Sequence, residues 1–498
     1  MIPTPPEPAA APAAPSKAAE LDRFLVRGIA WTGAAKYGTQ IIRWASTLAV
    51  VRMLVPEDYG ILAMASLFLG LVTMLTEFGV GSAVVTLRDL DDDDVSQLNG
   101  ASILFGVVAC LFTCVMAKPL ALFYRSPELF PVMLALSAGF VVRSFRTIPT
   151  ALLERELRFK LFAAFEAIEA VVLAVAMVLF ALAGLGYWTL VLGQLVSGVL
   201  GTVLLLSQRR HQLAWPRLKR IRRALVFSGH LVGSRLTWYW YSNADRLVCG
   251  RFLGEAPLGT YGVGQELASV PVEKITALVG RVTPAFFAAV QDDNAALRRY
   301  LLGVTEGIAV LTIPACWGLA IVADTFVPVI LGPKWMEAIL PMRLLAIYAA
   351  WRSIEALFHQ VLVAKKDARF GMWTGVVCAL VLPVAFLFGL DLGGTTGIAA
   401  AWMAVHPLVL LPLYRRVLRR IELPPWRFLG ALWPSVCSAL VMVAVVLLVR
   451  TALPVHSLGV RLAAEVAAGA VAYALTLLVC FRSRVRRFKE TLRTLRAR

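Results

Sequence analysis

Long apolar runs, separated by short polar connections, fill the chain from about residue 28 almost to the C-terminus. A run of about 20 apolar residues is needed to cross the roughly 30 Å hydrocarbon core of a bilayer. The pattern therefore predicts an all-α polytopic membrane protein with about fourteen transmembrane helices. The predicted spans are 28–51, 59–78, 97–117, 130–150, 161–183, 187–207, 224–246, 258–280, 300–323, 337–363, 371–390, 394–414, 428–450 and 458–481.

Composition supports a protein that is almost wholly embedded in lipid. Of 498 residues, 59% are hydrophobic and 16% are charged, with a mean hydropathy of +0.75, whereas soluble domains average about 25% charged residues. The seven cysteines fall in or beside apolar runs and form no CxxC pair. We interpret them as small buried residues, and we predict neither a metal nor a cofactor.

The positive charge of the chain has a distribution that indicates orientation. Lys and Arg number 49 against 31 Asp and Glu, a net charge of +18, and they concentrate in alternate connections, above all 209–223, 415–427 and 482–498. The positive-inside rule then places both termini in the cytoplasm of a multi-pass protein of the inner-membrane type. Nucleic acid is not an expected partner. The acidic run 89–94 falls on the same side and is predicted to be a solvated loop; a Ca²⁺ site is the weaker alternative.

The two halves of the sequence resemble each other. Arg52–Gly60 (RMLVPEDYG) and Arg251–Gly259 (RFLGEAPLG) share Arg, Leu and Gly at a shift of about 200 positions, and Val142-Arg143-Ser144 corresponds to Trp351-Arg352-Ser353. Chance similarity between apolar sequences is the alternative. Duplication predicts two parallel six-helix lobes with substrate between them near mid-membrane, plus two C-terminal helices. The predicted divisions are a disordered tail 1–20, an N-lobe 21–208, a linker 209–223, a C-lobe 224–415, two further helices 416–481 and a basic tail 482–498.

Three motifs carry a resemblance to a known group. They are Arg-x-Leu-x-Pro-x-x-Tyr-Gly at Arg52–Gly60, Glu77–Gly81 (EFGVG) and Phe326–Trp335 (FVPVILGPKW). With about fourteen spans, the chain resembles the polysaccharide transporter (Wzx-type flippase) family of the multidrug/oligosaccharidyl-lipid/polysaccharide exporter superfamily over about residues 20–480. The resemblance implies two lobes around a central cavity. It also implies alternating-access translocation of undecaprenyl-diphosphate-linked oligosaccharides for exopolysaccharide, O-antigen or capsule biosynthesis.

Cations inside the spans are the main candidates for substrate binding, because a charge in the hydrocarbon core is costly unless it has a function. The repeat aligns Lys36 with Arg235 and Arg143 with Arg352. Guanidinium groups bind phosphate oxygens bidentately, and Lys adds a compact charge. The predicted cationic cavity contains Lys36, Arg43, Arg143, Arg146, Arg235 and Arg352. The alternative is that these cations pair with Glu77, Glu166, Glu169, Asp245 or Glu355, or lie near the interface, and this applies most to Arg146.

Other polar residues within the spans have less specific roles. Gln40 shares a helical face with Lys36 and Arg43, and Tyr239 and Ser242 share a face with Arg235, so these three are predicted to line the cavity. Acidic side chains inside spans are candidates for binding a coupling ion; these are Glu77, Glu166, Glu169 and Glu306. Neutralisation of nearby arginines is the alternative for Glu166 and Glu169, and His359 is interpreted as a packing residue.

Competing functions are a membrane-embedded glycosyltransferase or polymerase, a lipid-II-type flippase and a multidrug exporter. The longest predicted exterior connection, 118–130, holds only Lys118, Arg125 and Glu128 as charged groups, and the sequence shows no catalytic motif. We therefore predict a transporter and not an enzyme. The predicted partners are lipid-diphosphate-linked oligosaccharide, membrane lipids and the polysaccharide polymerase and export machinery.

Overall fold

Every regular element in the described part of the chain is helical. The computed structural model describes residues 38–40, 42–86, 90–156, 158–208, 212–280, 283–452 and 457–482. The helices are α1 (42–53), α2 (Pro56–Thr86), α3 (Asp92–Tyr124), α4 (Leu129–Arg155), α5 (Phe159–Leu182), α6 (Trp188–Gln208), α7 (Leu218–Leu253), α8 (Glu255–Val279), α9 (Thr283–Ala289), α10 (Asn294–Ile330), α11 (Ile339–Ala364), α12 (Ala368–Val409), α13 (Leu411–Arg420), α14 (Pro425–Ala452) and α15 (Leu458–Cys480). A 3-10 turn, Pro333–Ala338, precedes α11. The predicted all-α polytopic fold is confirmed.

The number of spans stays a prediction. Within the described residues, nine helices are long and apolar enough to cross a membrane. One of them, α12, contains a break at Gly393 and Gly394, where the backbone leaves helical geometry. Gly389 and Gly397 face each other across this break so closely that a Cβ on either would overlap the carbonyl oxygen of the other. The chain therefore turns back on itself within α12, at the position where the sequence predicts two separate spans.

The acidic run before α3 is a helix start. Asp91 is the N-cap: its carboxylate accepts a hydrogen bond from the Asp94 backbone N–H at 2.6 Å, and the Asp94 carboxylate accepts one from the Asp91 N–H at 3.4 Å. Asp92, Asp93 and Asp94 lie in the first turn. Negative side chains at this position stabilise the unpaired N–H groups of a helix N-terminus. The expectation of a solvated loop is corrected here from Asp92 onward, because the aspartates cap and begin the helix.

Two of the sequence motifs pack against each other at one end of the bundle, which we call the junction end. The Arg52 guanidinium donates hydrogen bonds to the carbonyl oxygens of Ile330, at 2.8 Å, and Val329, which end α10. The buried Trp335 indole N–H donates to the Val51 carbonyl at 3.1 Å. Tyr59 meets Trp335 edge to face, with ring centroids 5.4 Å apart. Arg52 thus satisfies carbonyl groups that the end of α10 leaves unpaired.

The two halves also meet at the junction end, where α2 packs against α7 and α8. A Cβ on Gly60 would overlap the Glu255 carbonyl oxygen, and a Cβ on Gly259 would overlap the Pro56 carbonyl oxygen. Under the repeat alignment, Gly60 corresponds to Gly259 and Pro56 to Glu255. Each half therefore makes the same contact to the other, as two units related by a twofold axis do.

Candidate binding cavities

The first half of the chain encloses a polar cavity of 710 Å³ between α2, α4, α5 and α6. Arg143 and Arg146 of α4 face it together with Gln194 and Ser197 of α6. A smaller cavity of 290 Å³ shares Arg143 and Gln194 and extends along α2. We refer to the 710 Å³ cavity as the N-half cavity.

The two arginines of the N-half cavity differ in their partners. Arg146 forms a two-point ion pair with Glu169, at 3.1 and 3.3 Å. Gly201 provides the space for that carboxylate, because a Cβ there would overlap Glu169. Arg143 is exposed to the cavity, and no carboxylate of the described part lies within ion-pair distance of its guanidinium. The charge of Arg146 is balanced inside the protein, while that of Arg143 is available to a ligand.

The second half encloses a cavity of 370 Å³ between α7, α8, α11 and α12, which we call the C-half cavity. Arg352 of α11 lines it and is exposed. One turn along the same helix lies Glu355, which is 8% exposed and whose Oε2 has no hydrogen-bond partner. The nearest imidazole nitrogens are His406 Nδ1, 3.6 Å from Oε2, and His359 Nε2, 3.8 Å from Oε1. Arg352, like Arg143, has no ion-pair partner among the described carboxylates.

A buried carboxylate fixes the wall of the C-half cavity. Asp245 of α7 is fully buried and accepts hydrogen bonds from the Tyr261 hydroxyl at 2.7 Å, the Gln265 amide at 2.9 Å and the Trp402 indole at 2.8 Å. Three donors from two other helices satisfy the acidic group and hold Gln265 and Trp402 in place. The sequence suggests Asp245 as a candidate partner for a cation, but in the structure three neutral side chains donate these hydrogen bonds.

Arg143 and Arg352, which the repeat aligns, occupy comparable places. Each projects from the helix that follows the junction-end connection of its half, α4 or α11, and each lines a cavity without an ion-pair partner among the described carboxylates. Ser242 also lines the C-half cavity, as the sequence predicts a cavity role for it. Glu355, Gln265, Trp402 and His406 also line this cavity, and the sequence pattern predicts no cavity role for them. The one relevant signal in the sequence is the i, i+3 spacing of Arg352 and Glu355, which places both side chains on the same face of a helix.

The other residues predicted to provide cations or to line the cavity lie elsewhere in the structure or outside the described residues. Lys36 lies outside the described residues, as does the side chain of Arg235. Arg43 is exposed on α1. Gln40 accepts a hydrogen bond from Lys274 Nζ of α8 at 3.2 Å, and Tyr239 donates one to the Leu67 carbonyl of α2 at 2.6 Å. Both contacts link the two halves.

The acidic candidates for ion coupling are dispersed. The Glu77 side chain lies outside the described residues. Glu166 is exposed on α5, Glu169 pairs with Arg146, and Glu306 is half-buried on α10. Among the residues that the structure describes, no group of His, Cys, Asp or Glu is arranged to hold a metal ion.

An apolar groove of 580 Å³ lies between α10 and the last two helices, α14 and α15. Glu465 closes part of it and is fully buried. Its carboxylate accepts hydrogen bonds from Arg450 at 3.0 Å, Arg461 at 3.2 Å and Thr325 at 3.0 Å. The buried charge is compensated by this network, and the groove itself is lined mainly by aliphatic side chains.

A bundle of apolar helices that encloses charged cavities defines a polytopic membrane protein with a transporter fold. Residues 49–340, more than half of the chain, match the family described as polysaccharide biosynthesis protein. The chain belongs to that family. The resemblance that the sequence motifs indicate is confirmed.

Individual relatives cover most or nearly all of the chain. The succinoglycan biosynthesis transport protein ExoT of Rhizobium meliloti (strain 1021) is 26% identical over 96% of this chain and 97% of its own. The lipopolysaccharide biosynthesis protein WzxC of Escherichia coli (strain K12) is 23% identical over 76% of this chain and 78% of its own. Among solved structures, the inward closed conformation of the lipid II flippase MurJ has the same fold, with a TM-score of 0.74 and 12% identity over 91% of this chain and 99% of that chain.

Proposed function

We propose that this protein is a flippase that carries lipid-diphosphate-linked oligosaccharides across the bacterial inner membrane by alternating access, for polysaccharide biosynthesis. The observation that carries the proposal is the unpaired Arg143 in a cavity of 710 Å³, with Arg352 at the comparable place in the other half. Guanidinium groups held in a membrane-embedded cavity are suited to a phosphate-bearing cargo. Relatives named for polysaccharide biosynthesis and transport agree with this assignment.

The lipid part of such a cargo needs an apolar path. The 580 Å³ groove beside α14 and α15 provides aliphatic surface next to α10. In the proposal, the prenyl chain lies along this groove or in bulk lipid while the diphosphate enters the cationic cavities. The two appended helices then extend the carrier toward the lipid part of the substrate.

The proposed orientation places both termini in the cytoplasm and the junction end in the periplasm. The tight contacts at Gly60 and Gly259 then close the periplasmic side. The N-half cavity extends toward the other end, where it is lined by Thr150 and Glu154 near the end of α4. This arrangement corresponds to an inward-facing state, in which the cargo enters from the cytoplasmic leaflet.

The finer assignments belong to the same proposal. Residues 21–208 and 224–415 form the two lobes, with Lys36, Arg43 and Arg235 adding to the cationic surface between them. Glu169 holds Arg146 in an ion pair, so we assign it a positioning role before an ion-coupling one. A polysaccharide polymerase and export machinery would receive the flipped product, and the protein itself performs no covalent chemistry.

The second candidate is a lipid-II-type flippase, which the fold similarity to MurJ favours. Both cargoes carry a prenyl diphosphate and differ in the attached sugar or peptide. The match to the polysaccharide biosynthesis family over residues 49–340 favours the oligosaccharide cargo.

The test is translocation in proteoliposomes. Purified protein is reconstituted with a fluorescent undecaprenyl-diphosphate oligosaccharide, and flipping is followed by the accessibility of the label to a membrane-impermeant quencher. Loss of a charge-assisted hydrogen bond predicts that Arg143→Ala lowers the rate about tenfold and Arg352→Ala lowers it by a similar or smaller factor. Arg427→Ala, which removes an exposed arginine of α14, is the matched control. Wild-type rates in both cavity variants would refute the cationic-cavity mechanism.

A further inference from the structure

The two cavities differ in the kind of side chain that surrounds the arginine. The N-half cavity is lined by two arginines, two glutamates, three hydroxyl side chains, one amide, and small or aliphatic residues, and none of its lining residues is aromatic. The C-half cavity is lined by the aromatic rings of Trp238, Tyr241, Tyr348 and Trp402, in addition to two histidines. Aromatic rings do not provide the charged donors that bind a phosphate, so the aromatic wall indicates that this cavity binds a different part of the ligand.

The rings form a wall with an accessible face. Tyr348 and Trp402 are buried and stack with centroids 5.4 Å apart and an interplanar angle of 29°. Tyr241 stacks on His406 at 6.4 Å, and it is only half-buried. Trp238, one turn earlier on α7, is 50% exposed. The buried rings hold the wall in one arrangement, while Trp238 and Tyr241 present ring surface to a ligand. Flat aromatic faces stack against the C–H faces of sugar rings.

The polar groups of the same cavity are suited to hydroxyls. Glu355 Oε2 is buried without a hydrogen-bond partner, a state that costs free energy unless a ligand or water supplies a donor. Arg352 offers donors three residues away. The Gln265 amide is already engaged, because it donates to Asp245 and accepts from Arg246 at 2.6 Å. The polar groups of this cavity therefore include an acceptor, Glu355 Oε2, and a cluster of donors on Arg352, which together match a hydroxyl group that both donates and accepts.

We propose that the C-half cavity is a saccharide subsite, in which Trp238 and Tyr241 stack on a sugar ring while Glu355 and Arg352 hydrogen-bond its hydroxyls. The volume of 370 Å³ falls in the range of about 300–1,000 Å³ that is typical of small-molecule pockets. This inference rests on the proposed function and divides the cargo between the two halves. The N-half cavity binds the diphosphate through Arg143, and the C-half cavity binds the sugar.

The experiment compares two probes that differ only in the sugar. Wild type and variants in lipid nanodiscs are titrated with geranylgeranyl diphosphate and with geranylgeranyl diphosphate that bears N-acetylglucosamine, and binding is measured by microscale thermophoresis. Loss of one stacking contact predicts that Trp238→Ala weakens binding of the glycosylated probe about fivefold. Binding of the sugar-free probe stays at the wild-type value. Trp238→Tyr, which keeps a ring, restores most of the affinity.

The controls use the same helix and the other cavity. Trp240→Ala removes an exposed tryptophan of α7 that does not line the C-half cavity, and it leaves both affinities unchanged. Glu355→Gln weakens only the glycosylated probe, because an amide of the same shape replaces the carboxyl group and one acceptor for a sugar hydroxyl is lost. Arg143→Ala weakens both probes.

The outcomes separate the two proposals. If wild type binds neither probe, the proposed function fails, and the saccharide subsite fails with it. If both probes bind and Arg143→Ala weakens both, but Trp238→Ala and Glu355→Gln do not discriminate between them, the saccharide subsite alone is overturned. Selective loss of the glycosylated probe in both variants supports it.

Discussion

The two halves of the internal repeat make equivalent contacts at the junction end but have different residues around their cavities. At the junction end the halves make reciprocal backbone contacts, Gly60 to Glu255 and Gly259 to Pro56. In the cavities the aligned arginines, Arg143 and Arg352, have different surroundings. At the junction end the two halves contact each other, so a residue change in one half affects packing of the aligned residue in the other half. The cavity-lining residues face a ligand and not the other half, so the two cavities can differ in sequence.

The charged groups that line the two cavities are also arranged differently. In the N-half cavity Glu169 pairs with Arg146, while Arg143 has no ion-pair partner among the described carboxylates and Glu154 lines the cavity near the end of α4. In the C-half cavity Glu355 lies beside Arg352 without an ion pair between them, so one carboxylate and one guanidinium face the same space. The space next to Arg143 therefore favours an anion, whereas next to Arg352 the carboxyl group of Glu355 also accommodates a neutral polar group.

The largest effect that tests this comparison is expected at the junction end. A side chain at Gly60 or Gly259 must displace backbone of the opposite half. Gly60→Val and Gly259→Val should each destabilise the protein by about 2 kcal/mol through overpacking. Because the contact is reciprocal, the two melting temperatures should fall by similar amounts.

Gly262→Val is the matched control on α8, since nothing lies within 4 Å of a Cβ there. Introduced cysteines at the junction end should also react faster with a membrane-impermeant maleimide in the two contact variants. A large fall for Gly60→Val with none for Gly259→Val would contradict the twofold relation.

The next effect separates the two glutamates. Glu169→Gln removes the charge that Arg146 pairs with, at side-chain exposures of 25% and 20%, and should cost about 1 kcal/mol of stability. Glu355→Gln replaces a buried carboxyl group whose Oε2 has no hydrogen-bond partner, so the stability of this variant should be unchanged or higher. Thermal unfolding of the detergent-solubilised proteins measures both. Equal destabilisation by the two variants would show that the cavities are electrostatically alike.

Features of the structure that depend on local sequence can be predicted, whereas contacts between residues far apart in the sequence cannot. Helix positions, the family and the alignment of Arg143 with Arg352 follow from periodicity and local motifs. The turn inside α12 is implied by the break between two predicted spans. The contact between residues 52–60 and residues 326–335 could not be predicted, because hydrogen bonds such as that from Arg52 to Ile330 join positions far apart in sequence.

The composition of the C-half cavity could not be predicted for the same reason. His406 and Trp402 come from α12, Gln265 from α8 and Glu355 from α11. Each residue alone is an ordinary polar or aromatic residue in an apolar run. Their common function depends on how four helices pack, which the hydrophobic pattern leaves undetermined. The roles assigned to Lys36 and Arg235 stay predictions.

The smallest effect concerns the end of the bundle opposite the junction, where the C half is held by an ion pair. Asp367, between α11 and α12, accepts a hydrogen bond from Arg416 Nε of α13 at 2.6 Å, and Arg420 lies 3.5 Å away. The hydrogen bond from Arg416 lowers the pKa of Asp367 below its ordinary value. A group with a lowered folded-state pKa stabilises the protein above its unfolded pKa, about 3.9, and loses this contribution as the pH falls through the folded pKa.

Asp367→Asn should therefore lower the melting temperature slightly at about pH 7, and the difference from wild type should shrink below about pH 4. Asp292→Asn, which changes an exposed aspartate in the connection before α10, is the control for removal of a surface carboxyl group. A constant difference between Asp367→Asn and wild type at all pH values would mean that the contact with Arg416 acts through packing over Phe370, where the guanidinium lies 4.4 Å from the ring centroid. In that case this end of the C half, like the junction end, would be held by shape and not by charge.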